Sequence, residues 1–263
     1  VLREFARGTD VATQMGNQGH SKDAPRKLRE WIEDGAIGAV REVHCWTRSA
    51  AGMWPQGIKR PQGKPPVPSH LDWDLWLGPA PARSYHPVYH PNRWRGWWDF
   101  GNGALGDMGC HVLDAPFYCL QLGSPETVCG TETGLDSRKG SYRLGQGFDL
   151  NMEINGEDFE VQSSCSGPDA ETAPVSCVVR YEFPGRDGRP PVSLTWWDGG
   201  LVTPLVRTLG HPDRASGTLF IGSRGSISCG AHAGDIVLRP ESREKSYEPP
   251  ARKYRRIGLS HEK

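Results

Sequence analysis

The chain has 263 residues, with 31 Lys plus Arg balanced by 31 Asp plus Glu, so its net charge is zero and it offers no electrostatic footprint for nucleic acid or anionic lipid. That length is enough to bury a sizeable core, and no run approaches the roughly 18 apolar residues a membrane span requires. Ten Trp, 33 Gly and 22 Pro describe rigid turns and large aromatic faces rather than long helices, a composition suited to a neutral ligand such as carbohydrate.

Val1 to Arg7 reads as a helix end closed by Gly8, and Val11 to Met15 as a short strand running into the loop Gly16-Asn-Gln-Gly-His20. Ser21 is placed to cap a helix from about Ala24 to Asp34, where Leu28, Trp31 and Ile32 share a face and Gly35 ends the run. Val40 to Thr47 follows as a strand. From Ala50 to Trp98 proline recurs and five of the ten Trp fall between 73 and 98, which predicts a long ordered layer packed on its own aromatic side chains.

Ala104 to Leu122 predicts a helix kinked or restarted at Pro116. Strand candidates then follow at Glu126–Thr131, Val175–Phe183, Val192–Trp197, Thr218–Ile221, Ser226–Cys229 and Asp235–Arg239. Turns such as Pro184-Gly-Arg-Asp-Gly188 and Ser223-Arg-Gly225 imply antiparallel hairpins. Between them Gly134 to Gly167 lacks a period, with an inserted hairpin expected around Phe148 to Val161. Residues 241–263 are charged and without a closing element, so they are expected to fray or to continue into further sequence.

Seven scattered cysteines at 45, 110, 119, 129, 165, 177 and 229 include no C-x-x-C pair, which argues for reduced thiols and against a zinc site or a disulfide framework. His86 and His90 have a metal-ligand spacing only on a helix, which Pro87 and Pro91 oppose, so no metal is expected. Gly-x-Ser-x-Gly is absent, which removes the commonest serine-hydrolase elbow. Gly101-Asn-Gly-Ala-Leu-Gly106 matches the dinucleotide fingerprint, but the preceding Trp94-Arg-Gly-Trp-Trp-Asp-Phe100 is a poor buried strand, and a phosphate role is set aside.

Just beyond it, Asp107 and His111 lie four residues apart on the predicted helix and share a face. A carboxylate there can orient the imidazole and raise its basicity, as a general base for hydroxyl oxidation requires, against the plainer reading of a first-turn acid and a core histidine. Trp94, Arg95, Trp97, Trp98 and Asp99 combine aromatic faces with a cation and a carboxylate, a sugar-gripping set, although adjacent Trp97 and Trp98 point different ways and at least one belongs to the core.

Thr13-Gln-Met-Gly-Asn-Gln-Gly-His20, Leu71-Asp-Trp-Asp-Leu-Trp-Leu-Gly-Pro79, Trp94 to Phe100, Gly103 to His111, Leu194-Thr-Trp-Trp-Asp-Gly-Gly200 and Leu219-Phe-Ile-Gly222 together resemble the Gfo/Idh/MocA oxidoreductases. The resemblance implies an α/β (α+β) chain: residues 1–22 as the end of a Rossmann-like dinucleotide-binding domain, 23–240 as a substrate and oligomerisation domain on an open, mainly antiparallel sheet flanked by helices, and 241–263 as a charged tail. It places the family's Asp-x-x-x-His pair on Asp107 and His111, and Asn17 and His20 near the nicotinamide of NAD or NADP. It implies a sugar or polyol substrate, a homo-oligomer formed through the sheet, and no nucleic-acid or membrane partner.

The family's Gly-rich turn and Glu-Lys-Pro segment are expected before Val1 and its closing segment after Glu262, so the chain reads as a truncated form. The compartment is cytoplasmic by default, with export open if a signal precedes Val1. Two alternatives stand beside hydride transfer from a sugar hydroxyl: a redox-mechanism glycosidase that keeps NAD bound, and a non-catalytic carbohydrate-binding or oligomerising remnant.

Overall fold

A computed structural model describes residues 2–13, 16, 18–48, 53–133, 143–144, 148–149 and 170–256. In chain order these form α1 (Leu2–Arg7), α2 (Gln18–Ser21), α3 (Asp23–Glu33), β1 (Val40–Thr47), α4 (Trp73–Leu77), a 3₁₀ turn (Arg93–Gly96), α5 (Gly103–Val112) and α6 (Asp114–Leu120). They continue with β2 (Thr127–Thr133), the short pair β3 (Arg143–Leu144) and β4 (Phe148–Asp149), β5 (Ser176–Phe183), β6 (Val192–Trp197) and α7 (Leu205–Thr208). The last are β7 (Ser216–Gly222), β8 (Gly225–Gly230), a second 3₁₀ turn (Ala231–Ala233), β9 (Val237–Arg239) and α8 (Glu241–Ser246).

Seven strands make one open sheet in the order β2-β5-β6-β1-β7-β8-β9. Every pairing in it is antiparallel except that of β1 with β6, where Glu42 lies opposite Ser193 and Trp46 opposite Trp197. Because side chains alternate across a strand, Val43, Cys45, Leu194, Trp196, Phe220 and Ile227 point to one face, where Leu28, Ile32, Val112, Ala115 and Cys119 from α3, α5 and α6 cover them. Trp46, Trp197, Leu219 and Ile221 point to the other face, packed under Val206 and its neighbours around α7.

The β5–β6 hairpin closes as the turn residues predict. Asp187 and Gly188 both have positive φ, at 50° and 76°, and Arg186 and Arg189 exchange backbone hydrogen bonds of 3.2 and 2.9 Å. That is a type I′ turn, whose twist matches the flanking strands.

Four local expectations change. Residues 11–13 are not in a strand, and Gln14 and Met15 lie outside the described residues. Ser21 belongs to α2, and α3 starts one residue after Lys22 with no side-chain cap. The helix expected from Ala104 to Leu122 breaks at Leu113, not at Pro116, which sits in the first turn of α6 where an amide N–H has no intrahelical partner to lose. The segment after Arg239 has a closing element: α8 forms, and residues 253–256 dock on α3. Glu30 accepts from the backbone N–H of Lys253 and Tyr254 at 2.8 and 2.9 Å and from both terminal nitrogens of Arg256 at 2.9 and 2.6 Å. The hairpin expected around 148–161 lies mostly outside the described residues.

The Pro- and Trp-rich layer is ordered over residues 53–100, as the composition predicts. Asp72 caps α4 by accepting from Leu75 N at 3.1 Å, and Gly78 at φ 54° ends it. Trp73 stacks on Trp76 at 4.7 Å, and with Tyr89, Trp97 and Phe100 they form a second core. Among the described residues Cys45, Cys110, Cys119, Cys129 and Cys229 are free thiols, and the Cys177 thiol donates to Asp198 Oδ2 at 3.0 Å. Cys165 lies outside them.

Candidate functional site

The site is built on the entry to α5. Gly96 tucks beneath the layer so closely that a Cβ there would lie 2.0 Å from Pro55 O. This sets Gln56 over the helix start, where its Oε1 accepts from Trp54 Nε1 at 2.9 Å and from Ala104 N at 3.0 Å. One of the unpaired amides of the first turn is thereby satisfied by a residue nearly fifty positions away.

Asp107, one turn into α5, does not orient His111. Its Oδ1 accepts from Arg95 Nε at 2.9 Å, while Arg95 Nη1 donates to Asn92 O at 2.8 Å. The guanidinium carbon lies 4.8 Å from the Trp94 ring centre and 5.6 Å from that of Trp54, so Arg95 is held by a carboxylate and two aromatic faces at once. Spacing alone made Asp107 and His111 a pair; a tertiary cation took the carboxylate instead.

The expected sugar-gripping set divides. Trp97 is fully buried, and its Nε1 donates to Val88 O at 3.3 Å, so it is core and offers no face to a ligand. Asp99 forms an ion pair with Arg83, whose buried side chain also lies over the rings of Tyr89 and Phe100. Trp94 and Arg95 remain partly exposed, and Trp98 is exposed.

His111 gathers different company. Its ring meets that of His232 edge to face at 5.1 Å, and its Nδ1 is buried with no hydrogen-bond partner among the described residues. His232 sits in the second 3₁₀ turn at φ 60°, followed by Ala233 at φ 58°. Left-handed conformations at two successive non-glycine residues cost of order 1–3 kcal/mol each, and they aim this imidazole at α5. Burial holds its pKa below the ordinary histidine value, His111 and Lys22 push in the same direction, and Asp114 opposes them.

Against the other side of His232 packs Gly19, where a Cβ would lie 2.0 Å from the ring Nδ1. The next residue, His20, reaches Asp114 at the start of α6, with Nδ1 2.8 and 3.0 Å from the two carboxylate oxygens. Three imidazoles and a carboxylate from α2, α5, α6 and the 231–233 turn thus form one cluster. Asn17 lies outside the described residues. Sequence reading missed Asp114 and His232. The first had a faint signal, an acid three residues beyond His111; the second had none, since nothing near position 232 marks it.

Whether this chain cradles a dinucleotide is tested by its Gly-rich run. A Cβ on Gly101 would lie 2.5 Å from Arg95 O, one on Gly103 2.5 Å from Ala173 Cβ, and one on Gly106 2.4 Å from Asn102 Cβ. These glycines make room for protein, not for a phosphate, and the run does not fit the cofactor. Among the described residues no group of three or more His, Cys, Asp or Glu is arranged to hold a metal ion, and no helix is long and apolar enough to cross a membrane. His86 is buried, its Nδ1 accepting from Val88 N at 3.2 Å.

Residues 26–129, which carry α3, β1, the aromatic layer, α5 and α6, match the oxidoreductase family, C-terminal alpha/beta domain, of Gfo/Idh/MocA type. The match covers about two fifths of the chain. The matched residues include Asp107, His111 and Asp114, whereas His20 and His232 lie outside them.

No curated protein matches the chain. Among solved structures, an oxidoreductase from Sinorhizobium meliloti is 15% identical over 95% of this chain and 50% of its own, with a TM-score of 0.39. The WlbA dehydrogenase from Bordetella pertussis, in complex with NADH and UDP-GlcNAcA, is 14% identical over 85% and 46%, with a TM-score of 0.39. A super-repressor mutant of Gal80p from Saccharomyces cerevisiae is 14% identical over 90% and 45%, with a TM-score of 0.46. The chain spans about half the length of these proteins.

Proposed function

We propose that this Gfo/Idh/MocA domain belongs to an NAD- or NADP-dependent oxidoreductase that oxidises a hydroxyl of a sugar, polyol or glycoside. The observation that carries the reading is the cluster of His20, His111, His232 and Asp114 inside and around the family domain. Oxidising a hydroxyl requires its proton to be accepted beside a hydride acceptor, and imidazole is the side chain suited to that task near neutral pH. Trp94, Arg95 and Trp98, on the layer that feeds α5, supply stacking area and a cation for the substrate. The dinucleotide is held by residues other than the 101–106 run.

The test is NAD⁺ or NADP⁺ reduction by the full-length protein with glucose and inositol as probe substrates, repeated with His111→Ala. Turnover should fall by about 10²- to 10⁴-fold if His111 takes part in proton transfer. A fall of less than about tenfold removes it from that role. Cleavage of aryl glycosides without net NADH would move the reading to a redox glycosidase, and sugar binding with no response to NAD would move it to a non-catalytic remnant. The sheet face opposite α3, α5 and α6, on β5 where Arg180 is exposed and Glu182 partly so, is proposed as a self-association surface, checked by the mass in solution of an Arg180→Glu variant.

A further inference from the structure

The cluster contains one imidazole whose proton can be placed by chemistry alone. His20 Nδ1 lies 2.8 Å from Asp114 Oδ1 and 3.0 Å from Oδ2. An ionised carboxylate only accepts hydrogen bonds, so the hydrogen between them belongs to Nδ1. In the neutral ring the lone pair is then on Nε2. The two side chains are 40% and 19% exposed, so the imidazole is part-exposed while the carboxylate is mostly sheltered.

The surroundings hold this orientation from several sides. The Tyr118 ring meets His20 edge to face at 4.9 Å. Arg26 Nη1 donates to His20 O at 2.7 Å and to Lys22 O at 3.0 Å, fixing the turn on which the histidine stands. Gly19, one residue before, is pressed on His232. Arg29 lies 4.8 Å from the Tyr118 ring centre, and Cys110, Cys119 and His232 also feel the charge of Asp114. At His111, by contrast, Asp107 is committed to Arg95, and Nδ1 has no partner among the described residues.

We propose that His20 Nε2 is the proton acceptor of this site, taking the proton of a substrate hydroxyl, and that Asp114 is the residue that positions it. The substrate O–H bond breaks with its electron pair left on oxygen, an Nε2–H bond forms, and the imidazolium is held beside the Asp114 carboxylate. His111 and His232 form the wall next to this acceptor. The proposal rests on the oxidoreductase reading above, with oxidised nicotinamide as the hydride acceptor.

The test uses the full-length protein and Asp114→Asn, with Asp114→Glu as the conservative control. Diethyl pyrocarbonate, an electrophile that attacks an unprotonated imidazole nitrogen, should modify His20 at Nε2, and Asp114→Asn should slow that modification roughly tenfold by releasing the tautomer. In sugar-dependent NAD⁺ reduction the same variant should lower kcat by about 10²-fold while KM stays within about threefold, and Asp114→Glu should recover part of the loss. Modification of His20 at an unchanged rate in Asp114→Asn overturns the proposal, as does a kcat within about threefold of the parent. The modification needs no substrate, so a protein inert toward sugars overturns the oxidoreductase reading while the modification rates still judge the pair.

Discussion

Asp107 and Asp114 flank His111 at nearly equal distance along the chain, four residues before it and three after, yet they serve two different corners of the molecule. Asp107 meets a guanidinium that is itself stacked on Trp94 and anchored to Asn92 O. Asp114 meets an imidazole from α2, close to the start of the chain. A guanidinium stays charged at every working pH, so the first pair is a fastener. An imidazole whose Nδ1–H is given to a carboxylate keeps a lone pair on Nε2, so the second pair can take part in chemistry. What decides the role of each acid is the partner that folding brings to it, not its spacing from His111.

The widest break in this comparison should come from the two parallel amides. Asp114→Asn should cost about 10²-fold in kcat, whereas Asp107→Asn should cost less than about tenfold. Equal losses would erase the distinction between the corners. Next in size, Gly19→Ala drives a methyl into the His232 ring and should destabilise the protein by about 2 kcal/mol, read as a lower denaturation midpoint. The Asp107 corner has its own such position in Gly101, where a Cβ would lie 2.5 Å from Arg95 O. Asp107→Asn leaves Arg95 with a weaker partner at a part-exposed site, and a loss of about 1 kcal/mol is expected in the same measurement.

The last effect is one of acid. The bidentate pairing with Arg256, helped by the backbone amides of Tyr254 and Lys253, lowers the Glu30 pKa to about 2 from 4.5, against the opposing effect of burial. A carboxylate with a depressed folded pKa stabilises the fold fully above its unfolded value and loses that contribution as pH falls through the folded one. The 253–256 arm should therefore loosen between about pH 4.5 and 2. Tyr254 and Tyr118 hold Arg29 between them at 4.7 and 4.8 Å, so the loosening should reach the His20 corner and spare Arg95. Hydrogen exchange at 253–256 and at 93–96, followed on acidification, checks both halves.

The sheet was legible because its signals are local. Alternation in Val192–Trp197 and the Asp187-Gly188 turn are visible in a few residues, and the observed strands overlap those expected from 126 onward. The helix break at Leu113 was not legible, since Pro116 is a strong signal that proves harmless in a first turn. Arg95 and Asp107 were both singled out, but as members of different sites; only the fold shows them bonded. His20 and Asp114 are separated by 94 positions, and no periodicity relates them. Trp97 and Trp98 divided as adjacent residues must, one to the core and one to solvent.

The central strand carries a consequence for synthesis. The backbone edges of β1 are paired only when β6 and β7 add on either side, and those partners begin at Ser193 and Ser216. At ribosomal rates of about 5–20 residues per second, both edges of β1 stay open for roughly 10–30 s after they emerge. Through that interval Val43, Cys45 and Trp46 form an apolar edge with nothing to pair with, and a cell making this chain must shield it or lose a share to aggregation.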